Sequence, residues 1–283
     1  KTDIQLLENI RFFKGEKENC QDLGKKLAGL GDIYVFDAFG TAHREQASTH
    51  SAIKSATKAC AGLLLERETE FLSKALNNYD HPYIAVIGGA KVSTKLELIK
   101  HINSVADQII VGGGIANTFL KASGLKIGKS LVEDSMLDIA KDLLVQGKIV
   151  LPNVIITSKT FEGEDIRETS VKDVKDDEMI LDLHLSDEIL TSLNQAKTIL
   201  WNGPMGVFEN KLFSKGTKDL SIAIANSSAF SIAGGGETLS AINKYIKSDD
   251  VSYCSTGGGA FLEFMEGKNL SSIDVLNSKE TGS

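Results

Sequence analysis

Cysteine is scarce in this sequence, with only Cys20, Cys60 and Cys254 among 283 residues. The number is odd, the three are far apart, and no two are spaced as C-x-x-C. Disulfide scaffolds carry even sets of cysteines, and structural zinc sites carry them in close pairs. We therefore exclude both classes and expect a reducing, cytoplasmic compartment.

Long hydrophobic runs and an excess of positive charge are also missing. No run approaches the ~18 apolar residues of a membrane-spanning helix, and the start at Lys1-Thr2-Asp3 has no hydrophobic region of a secretion signal. Lysine and arginine number 31 against 38 aspartates and glutamates, a net charge of −7. Such an acidic chain has no electrostatic reason to follow a phosphate backbone. We expect small-molecule partners, and neither nucleic acid nor membrane.

Two common nucleotide-binding motifs are absent. No G-x-x-x-x-G-K-[ST] loop occurs. No G-x-G-x-x-G fingerprint occurs either, because 112–117 reads Gly-Gly-Gly-Ile-Ala-Asn and no acidic residue stands convincingly about 20 positions later. A nicotinamide-dependent oxidoreductase with a Rossmann-like cofactor domain is therefore the weaker alternative.

Short apolar runs alternate with longer amphipathic stretches along the chain. The runs are continuous and lack alternation, which predicts strands buried on both faces. Strand, helix and strand at this spacing indicate βαβ units and a mostly parallel sheet. The strand candidates are 34–36, 84–87, 108–111, 149–151, 198–201, 230–233 and 251–254.

Three further segments lead to expectations about organisation. Residues 62–77 carry an apolar stripe with Gly62 before it and Asn77 after it, which predicts a long helix at a domain boundary. Residues 163–178 are charged with little apolar content, which predicts a solvated excursion. The apolar start at 4–9 predicts a strand.

Glycine clusters after five of the predicted strands. In an open α/β sheet the carboxyl ends of the strands form the ligand-binding edge. Glycine lets the backbone approach a ligand closely, and the helix starts that follow can hold phosphate oxygens. Single clusters are equally well explained as tight turns, but five at one edge favour a phosphorylated ligand. The clusters are 88–89, 112–114, 203 with 206, 234–236 and 257–259.

Two lysines follow the first glycine turn. The spacing over 94–105 predicts a helix, with a capping box between Thr94 and Glu97. Lys91 and Lys95 are then placed four residues apart on its first turns. Two ammonium groups on one face beside a phosphate-binding turn suit a polyphosphate whose charge must be neutralised during transfer.

A carboxylate follows the fourth glycine turn. Glu237 and Thr238 come directly after 234–236 and open a predicted helix that ends at Tyr245. The Glu237 side chain either interacts with the helix dipole or binds Mg²⁺ held on a nucleotide. Spacing alone leaves both interpretations open.

A basic group forms the last candidate site. Arg44 and Arg11 follow different apolar runs, and arginine's planar fork suits carboxylate and phosphate oxygens. His43 adds a third donor, although a lone histidine is more often structural.

Seven motifs in this order resemble the phosphoglycerate kinase family, over residues 6–276. Each is moderately specific, and their order leaves little room for another family. The motifs are Leu7-Glu8-Asn9-Ile10-Arg11-Phe12, the run 37–44 from Asp37 to Arg44, the run 88–95 from Gly88 to Lys95, Gly112-Gly113-Gly114-Ile115-Ala116-Asn117-Thr118-Phe119, the run 201–209 from Trp201 to Glu209, Gly234-Gly235-Gly236-Glu237-Thr238 and Ser255-Thr256-Gly257-Gly258-Gly259-Ala260.

The resemblance implies reversible phosphoryl transfer from 1,3-bisphosphoglycerate to ADP, giving 3-phosphoglycerate and ATP with Mg²⁺, by a monomeric cytoplasmic enzyme of glycolysis. It implies two Rossmann-like three-layer α/β/α domains with mostly parallel sheets. The segments would be 1–61 (part of the triose domain), 62–77 (inter-domain helix), 78–260 (nucleotide domain) and 261–283 (a return toward the first domain).

The resemblance also implies roles for single residues. Glu237 would be the Mg²⁺ carboxylate, although many members carry Asp there. Arg11, His43 and Arg44 would bind the phosphoglycerate. The residues placed near the transferring group are Lys91, Gly235 and Gly258. Those placed around the nucleotide are Lys95, Gly112, Gly113, Gly114, Pro204, Glu209, Gly234, Gly235, Gly236, Glu237 and Thr238.

The chain departs from the family pattern at its start. The opening part of the pattern, with a D-x-N-V-P loop, an S-H-L-G-R-P loop and an arginine that assists transfer, is not in these residues. The resemblance therefore implies that this chain by itself binds nucleotide without completing catalysis. Residues 1–61 alone are expected to leave an incomplete core with exposed strand edges.

Overall fold

A computed structural model describes residues 4–280 of the chain, which divide into two compact units. The terminal unit comprises the described residues up to 70 and those from 256 onwards. The central unit comprises 71–255. Residues 256–260, which the sequence analysis grouped with the nucleotide domain, thus belong to the terminal unit, and the functional domain boundaries stay a prediction.

Strands and helices alternate through most of the chain. The strands are β1 (Tyr34–Phe36), β2 (Ala59–Ala61), β3 (Tyr83–Ile87), β4 (Gln108–Val111), β5 (Ile149–Val150), β6 (Val154–Ser158), β7 (Arg167–Ser170), β8 (Met179–His184), β9 (Thr198–Asn202), β10 (Phe230–Gly234) and β11 (Tyr253–Ser255). The helices are α1 (Gln21–Ala28), α2 (Ala52–Ser55), α3 (Leu63–Asn77), α4 (Leu96–Val105), α5 (Gly113–Ala122), α6 (Leu137–Val145), α7 (Asp187–Gln195), α8 (Lys215–Asn226), α9 (Gly236–Tyr245), α10 (Gly259–Met265) and α11 (Ser271–Glu280).

A six-stranded parallel sheet organises the central unit. Its order is β11-β10-β9-β3-β4-β5. Every residue of β3 and β9 is buried, which confirms that their continuous apolar runs are covered on both faces. Ile84 and Val86 pack in one core with α7, α8 and α9, and their neighbours Ala85 and Ile87 point to the opposite face. The predicted α/β architecture with a mostly parallel sheet is confirmed.

A three-stranded antiparallel sheet lies in the same unit and corrects one prediction. Its order is β7-β6-β8, so the segment 163–178 contains a strand and is more than a solvated excursion. Val171 and Val174 enter the core. Glu178 is buried and accepts a hydrogen bond from Arg167 Nη1 at 2.6 Å. Two valines of a charged segment here face inward, which composition alone could not reveal.

The terminal unit holds only a parallel pair of strands, β1 and β2. The prediction of a strand at 4–9 is wrong: this segment is irregular and pairs with no strand of the described residues. Helix α3 confirms the long helix predicted over 62–77. Helix α11 packs beside α2, where Ser272 Oγ donates to the carbonyl of Thr49 at 2.7 Å.

Candidate active site

The carboxyl edge of the central sheet forms a cleft of about 180 Å³. Because the strands are parallel, the glycine turns after β3, β4, β9 and β10 all lie at this edge, as the sequence predicts. Backbone and apolar side chains make up most of the wall, with two carboxylates among them. The lining residues are Gly89, Ala90, Gly113, Gly114, Asn117, Leu131, Phe161, Met179, Ile180, Leu181, Pro204, Gly206, Val207, Glu209 and Glu237.

The turns after β3 and β9 interlock at the floor of the cleft. A Cβ on Gly88 would stand 1.8 Å from the carbonyl oxygen of Pro204. Gly203 has φ of +113°, and a Cβ there would stand 2.3 Å from the carbonyl oxygen of Gly88. Neither position has room for a side chain, so these glycines hold the two strand ends in backbone contact.

The glycine triplet after β4 starts helix α5 against this floor. Gly113 N–H donates to the carbonyl of Met205 at 2.8 Å. A Cβ on Gly114 would stand 2.2 Å from the carbonyl oxygen of Ala90, and one on Gly112 would overlap Met205. Gly113 and Gly114 line the cleft, whereas Gly112 is buried behind it.

Lys95 reaches the floor of the same edge. Its Nζ donates to the carbonyl oxygens of Gly88 at 2.6 Å and Asn202 at 3.0 Å. Burial lowers the pKa of the Lys95 ammonium from 10.5 to about 8, and attraction to the Glu237 carboxylate partly offsets this shift. An ammonium held by neutral carbonyls in a desolvated place favours an incoming anion.

Lys91 is placed differently from the sequence prediction. Helix α4 begins at Leu96, so Lys91 and Lys95 lie in the preceding turn and not on one helical face. The predicted capping box is also wrong, since Thr94 Oγ1 donates to the carbonyl of Lys91. Lys91 is exposed, and the turn is fixed by Ser93, whose N–H donates to Glu133 at 2.8 Å.

The fourth glycine turn brings Glu237 to the cleft. Gly235, at φ of +96°, precedes the first turn of α9, and Gly234 accepts a hydrogen bond from Asn202 Nδ2 at 2.6 Å. Thr238 is buried, and its Oγ1 accepts from Gly203 N–H at 2.8 Å. Thr238 therefore supports the turn, while the exposed Glu237 carboxylate faces the cleft.

Several lining residues lie outside the set that the sequence analysis singled out. Pro204 and Glu209, which the resemblance places around the nucleotide, line the cleft. Asn202, at the end of β9, is buried and ties two turns together, and its polarity at the end of an apolar strand was an available signal. Leu131 and Phe161 come from irregular segments that carry no periodic pattern.

The remaining candidate residues belong to the terminal unit. Arg11 is exposed on a short 3₁₀ turn, Ile10–Phe12. The run after β1 packs on the turn that starts α10, because a Cβ on Gly259 would lie 3.4 Å from His43 Nε2. His43 Nδ1 is buried and has no hydrogen-bond partner among the described residues. Gly258, with φ of +54°, directly precedes α10.

Residues 4–280 contain neither a metal cluster of side chains nor a membrane-spanning helix. No group of three or more His, Cys, Asp or Glu side chains in this range could hold a metal ion by itself. Within the same range, no helix is both long and apolar enough to span a bilayer.

The sequence matches the family model described as phosphoglycerate kinase over residues 1–268. The chain belongs to the phosphoglycerate kinase family. The phosphoglycerate kinase of Haemophilus influenzae (strain PittGG) is 51% identical over 280 residues, covering 98% of this chain and 72% of the relative. That of Blochmanniella floridana is 53% identical over 277 residues, covering 97% of this chain and 69% of the relative.

Solved phosphoglycerate kinase structures share the fold. The Coxiella burnetii structure has a TM-score of 0.91 at 47% identity and covers 96% of this chain and 72% of that one. The Pyrococcus horikoshii structure has a TM-score of 0.81 at 31% identity, with coverage of 97% and 73%. Family membership makes this chain a phosphotransferase of glycolysis that uses a nucleotide and small-molecule substrates, and the oxidoreductase alternative is not supported.

Proposed function

We propose that the cleft at the carboxyl edge of the central sheet is the ADP/ATP site of the kinase reaction, so that the central unit is the nucleotide domain. The buried ammonium of Lys95 supports this most strongly, because it lies between glycine turns and its hydrogen bonds within the described residues all go to carbonyl oxygens. Nucleotide phosphates would satisfy that charge. The apolar lining from Leu131, Phe161 and Leu181 suits the flat face of a base.

Lys91 and Lys95 are assigned different tasks. Lys95 is buried and held, so it binds the nucleotide phosphates in the ground state. Lys91 is exposed on a turn fixed by Glu133, whose carboxylate also attracts it, and from there it meets the phosphoryl group as charge spreads over its oxygens in the transition state. Gly235 N–H is a second donor toward that group.

Mg²⁺ fits the cleft through Glu237. Magnesium is commonly held by one or two carboxylates together with substrate phosphates and water. The exposed Glu237 carboxylate lines the cleft and interacts with the Lys95 ammonium, so it stands on the side where phosphates would bind. When bound, the ion would neutralise phosphate charge during transfer. The longer Glu side chain leaves both direct and water-mediated ligation open to test.

The triose phosphate is assigned to the terminal unit. Arg11, His43 and Arg44 match the family's basic set, and two arginines suit the carboxylate and phosphate of 3-phosphoglycerate. Gly258 would offer its N–H near the transferring group. By the same resemblance, we propose a monomer acting in the cytoplasm.

Isothermal titration calorimetry tests the nucleotide site directly. The chain is expected to bind MgADP and to ignore NAD. Lys95→Met should weaken MgADP binding at least tenfold, the effect of losing one charge-assisted contact. Lys100→Met is the matched control, because Lys100 is exposed on α4 and pairs with Glu97. Equal MgADP affinity for both variants, or saturation by NAD, would refute the assignment.

A further inference from the structure

A buried carboxylate lies directly behind the cleft and takes no part in the site described above. Asp182 is on β8, next to the lining residue Leu181, and only 2% of it is exposed. Its Oδ2 accepts a hydrogen bond from Gly216 N–H at 3.0 Å, in the first turn of α8. Its Oδ1 has no hydrogen-bond partner among the described residues. Burying a carboxyl group with one unpaired oxygen costs free energy, so its presence here calls for a structural or functional explanation.

Two glycines make room for the Asp182 carboxylate. A Cβ on Gly206 would stand 2.3 Å from Asp182 Oδ1, and one on Gly216 would stand 2.7 Å from the same atom. Gly206 belongs to the loop 203–209 that lines the cleft, and Gly216 belongs to α8. The carboxylate is therefore wedged between the cleft loop and the helix.

A chain of hydrogen bonds leads from this helix turn back to the cleft. Thr217, next to Gly216, accepts from Met205 N–H through its Oγ1 at 3.0 Å. The carbonyl of Met205 accepts from Gly113 N–H at 2.8 Å, at the start of α5. On the other side of the loop, Val207 N–H donates to the carbonyl of Leu181 at 2.8 Å. The start of α8 thus holds the loop at Met205, and β8 holds it at Val207.

We propose that Asp182 is a positioning residue for the nucleotide site: by accepting from Gly216 it fixes the first turn of α8, and through Thr217 it sets the loop 203–209 against the glycine triplet. The inference rests on the proposed nucleotide function for its effect on affinity. The role needs an acceptor of the right size and not a charge. Burial, opposed by backbone hydrogen bonds and joined by repulsion from Asp219, raises the pKa of Asp182 to about 7, which agrees with a carboxyl that works in either protonation state.

Four variants separate positioning from simple stabilisation. Asp182→Ala removes the acceptor, and Asp182→Asn keeps its size and one oxygen. Thr217→Val removes the hydrogen bond from Met205 N–H and leaves Asp182 in place. This variant tests the proposal if Asp182→Ala folds poorly. Leu193→Ala is the control, because Leu193 is fully buried in α7 but does not line the cleft. MgADP affinity by calorimetry, thermal unfolding and hydrogen exchange of the Met205 and Val207 amides are measured for each.

Asp182→Ala and Thr217→Val are expected to weaken MgADP binding about tenfold and to speed exchange at the loop, the effect of losing one hydrogen bond that holds the binding geometry. Asp182→Asn should restore both the MgADP affinity and the slow exchange of the loop amides. Leu193→Ala should lower the unfolding temperature without changing either of them.

If Asp182→Ala lowers the unfolding temperature as Leu193→Ala does while loop exchange and MgADP affinity stay unchanged, Asp182 is merely structural. If Asp182→Asn fails like Asp182→Ala, the acceptor role is wrong. Failure of the unmodified chain to bind MgADP would overturn the nucleotide proposal, while loop exchange would still report on Asp182.

Discussion

The central and terminal units differ in how completely they bury their apolar residues. In the central unit, β3 and β9 are buried from end to end. In the terminal unit, Val35 of β1 is 55% exposed and Leu6 is 98% exposed. Ten of the large exposed hydrophobic residues belong to the terminal unit and six to the central unit, although the central unit is the larger.

The two units also differ in the hollows on their surfaces. The terminal unit has a groove of about 780 Å³ lined chiefly by apolar side chains such as Leu7, Leu23 and Leu27. The central cleft is smaller, but it gathers glycine turns, a buried ammonium and an exposed carboxylate. The proposed nucleotide site is therefore not in the larger hollow. The convergence of backbone and charge at a sheet edge indicates chemistry, whereas an exposed apolar groove indicates a surface made for contact.

The largest expected effect concerns the chemistry of the central unit. If Lys91 has the role proposed above, Lys91→Ala should lower kcat about 10²- to 10³-fold, because one cation is removed from the transferring phosphoryl group. ADP binding should change little, since Lys95 still holds the phosphates. Steady-state kinetics with both substrates measures this in a protein that also carries the opening part of the family pattern, beside Lys100→Ala as control. Near-normal turnover would remove Lys91 from the mechanism.

The second prediction compares glycines in the two units. Gly88→Ala should destabilise the central unit by about 3 kcal/mol, because its Cβ would overlap the Pro204 carbonyl, which is backbone and cannot swing away. Gly31→Ala in the terminal unit, where the new Cβ meets nothing nearer than 3.8 Å, should stay within about 0.5 kcal/mol. Urea unfolding measures both. Gly236→Ala, with open space around it, is the control within the central unit, and equal losses of stability at Gly88 and Gly236 would contradict the interlocked turns.

The third prediction follows from the lowered pKa of Lys95. Bound phosphates favour the ammonium, so MgADP affinity should fall by up to about tenfold per pH unit above pH 8 and stay level below it. Binding near pH 8.5 should take up a proton, visible in calorimetry with buffers of different ionisation enthalpy.

The free energy of unfolding should change with pH in the opposite direction to the MgADP affinity. The unfolded chain binds this proton between pH 8 and 10.5, so stability relative to Lys95→Met should rise across that range. Proton uptake that persists in Lys95→Met would assign the effect to another group.

The smallest expected effect is at the exposed surface of the terminal unit. Leu6→Ser should change the free energy of unfolding by no more than about 0.5 kcal/mol, since the side chain is already in water. By contrast, Ile199→Ala in β9 should lower the free energy of unfolding by about 2 to 5 kcal/mol, because that side chain is fully buried. Limited proteolysis extends the contrast, with cleavage expected in 4–61 before 80–255. A terminal segment as resistant as the central one would show that its apolar surface is covered.

Much of the central unit could be predicted from the sequence because strands buried on both faces read as continuous apolar runs and end in glycine. Ile84–Ile87 and Ile199–Trp201 needed no partner information to be recognised. The lysine turn was misread, since Leu96, Ile99 and Ile102 fix a helical face but not the residue where the helix starts. The strand at 167–170 was missed because its pairing partners lie elsewhere in the chain. Leu131 and Phe161 reach the cleft through tertiary placement alone.

The interlocked turns at Gly88 and Gly203 have a consequence for protein engineering. The two glycines are distant along the chain, yet a side chain at either one would collide with the backbone of the other turn. A linear peptide copied from either turn would lose the shape that its counterpart imposes. Transplanting this pair of turns into another scaffold would therefore require two adjacent parallel strands moved together, with both glycines in register.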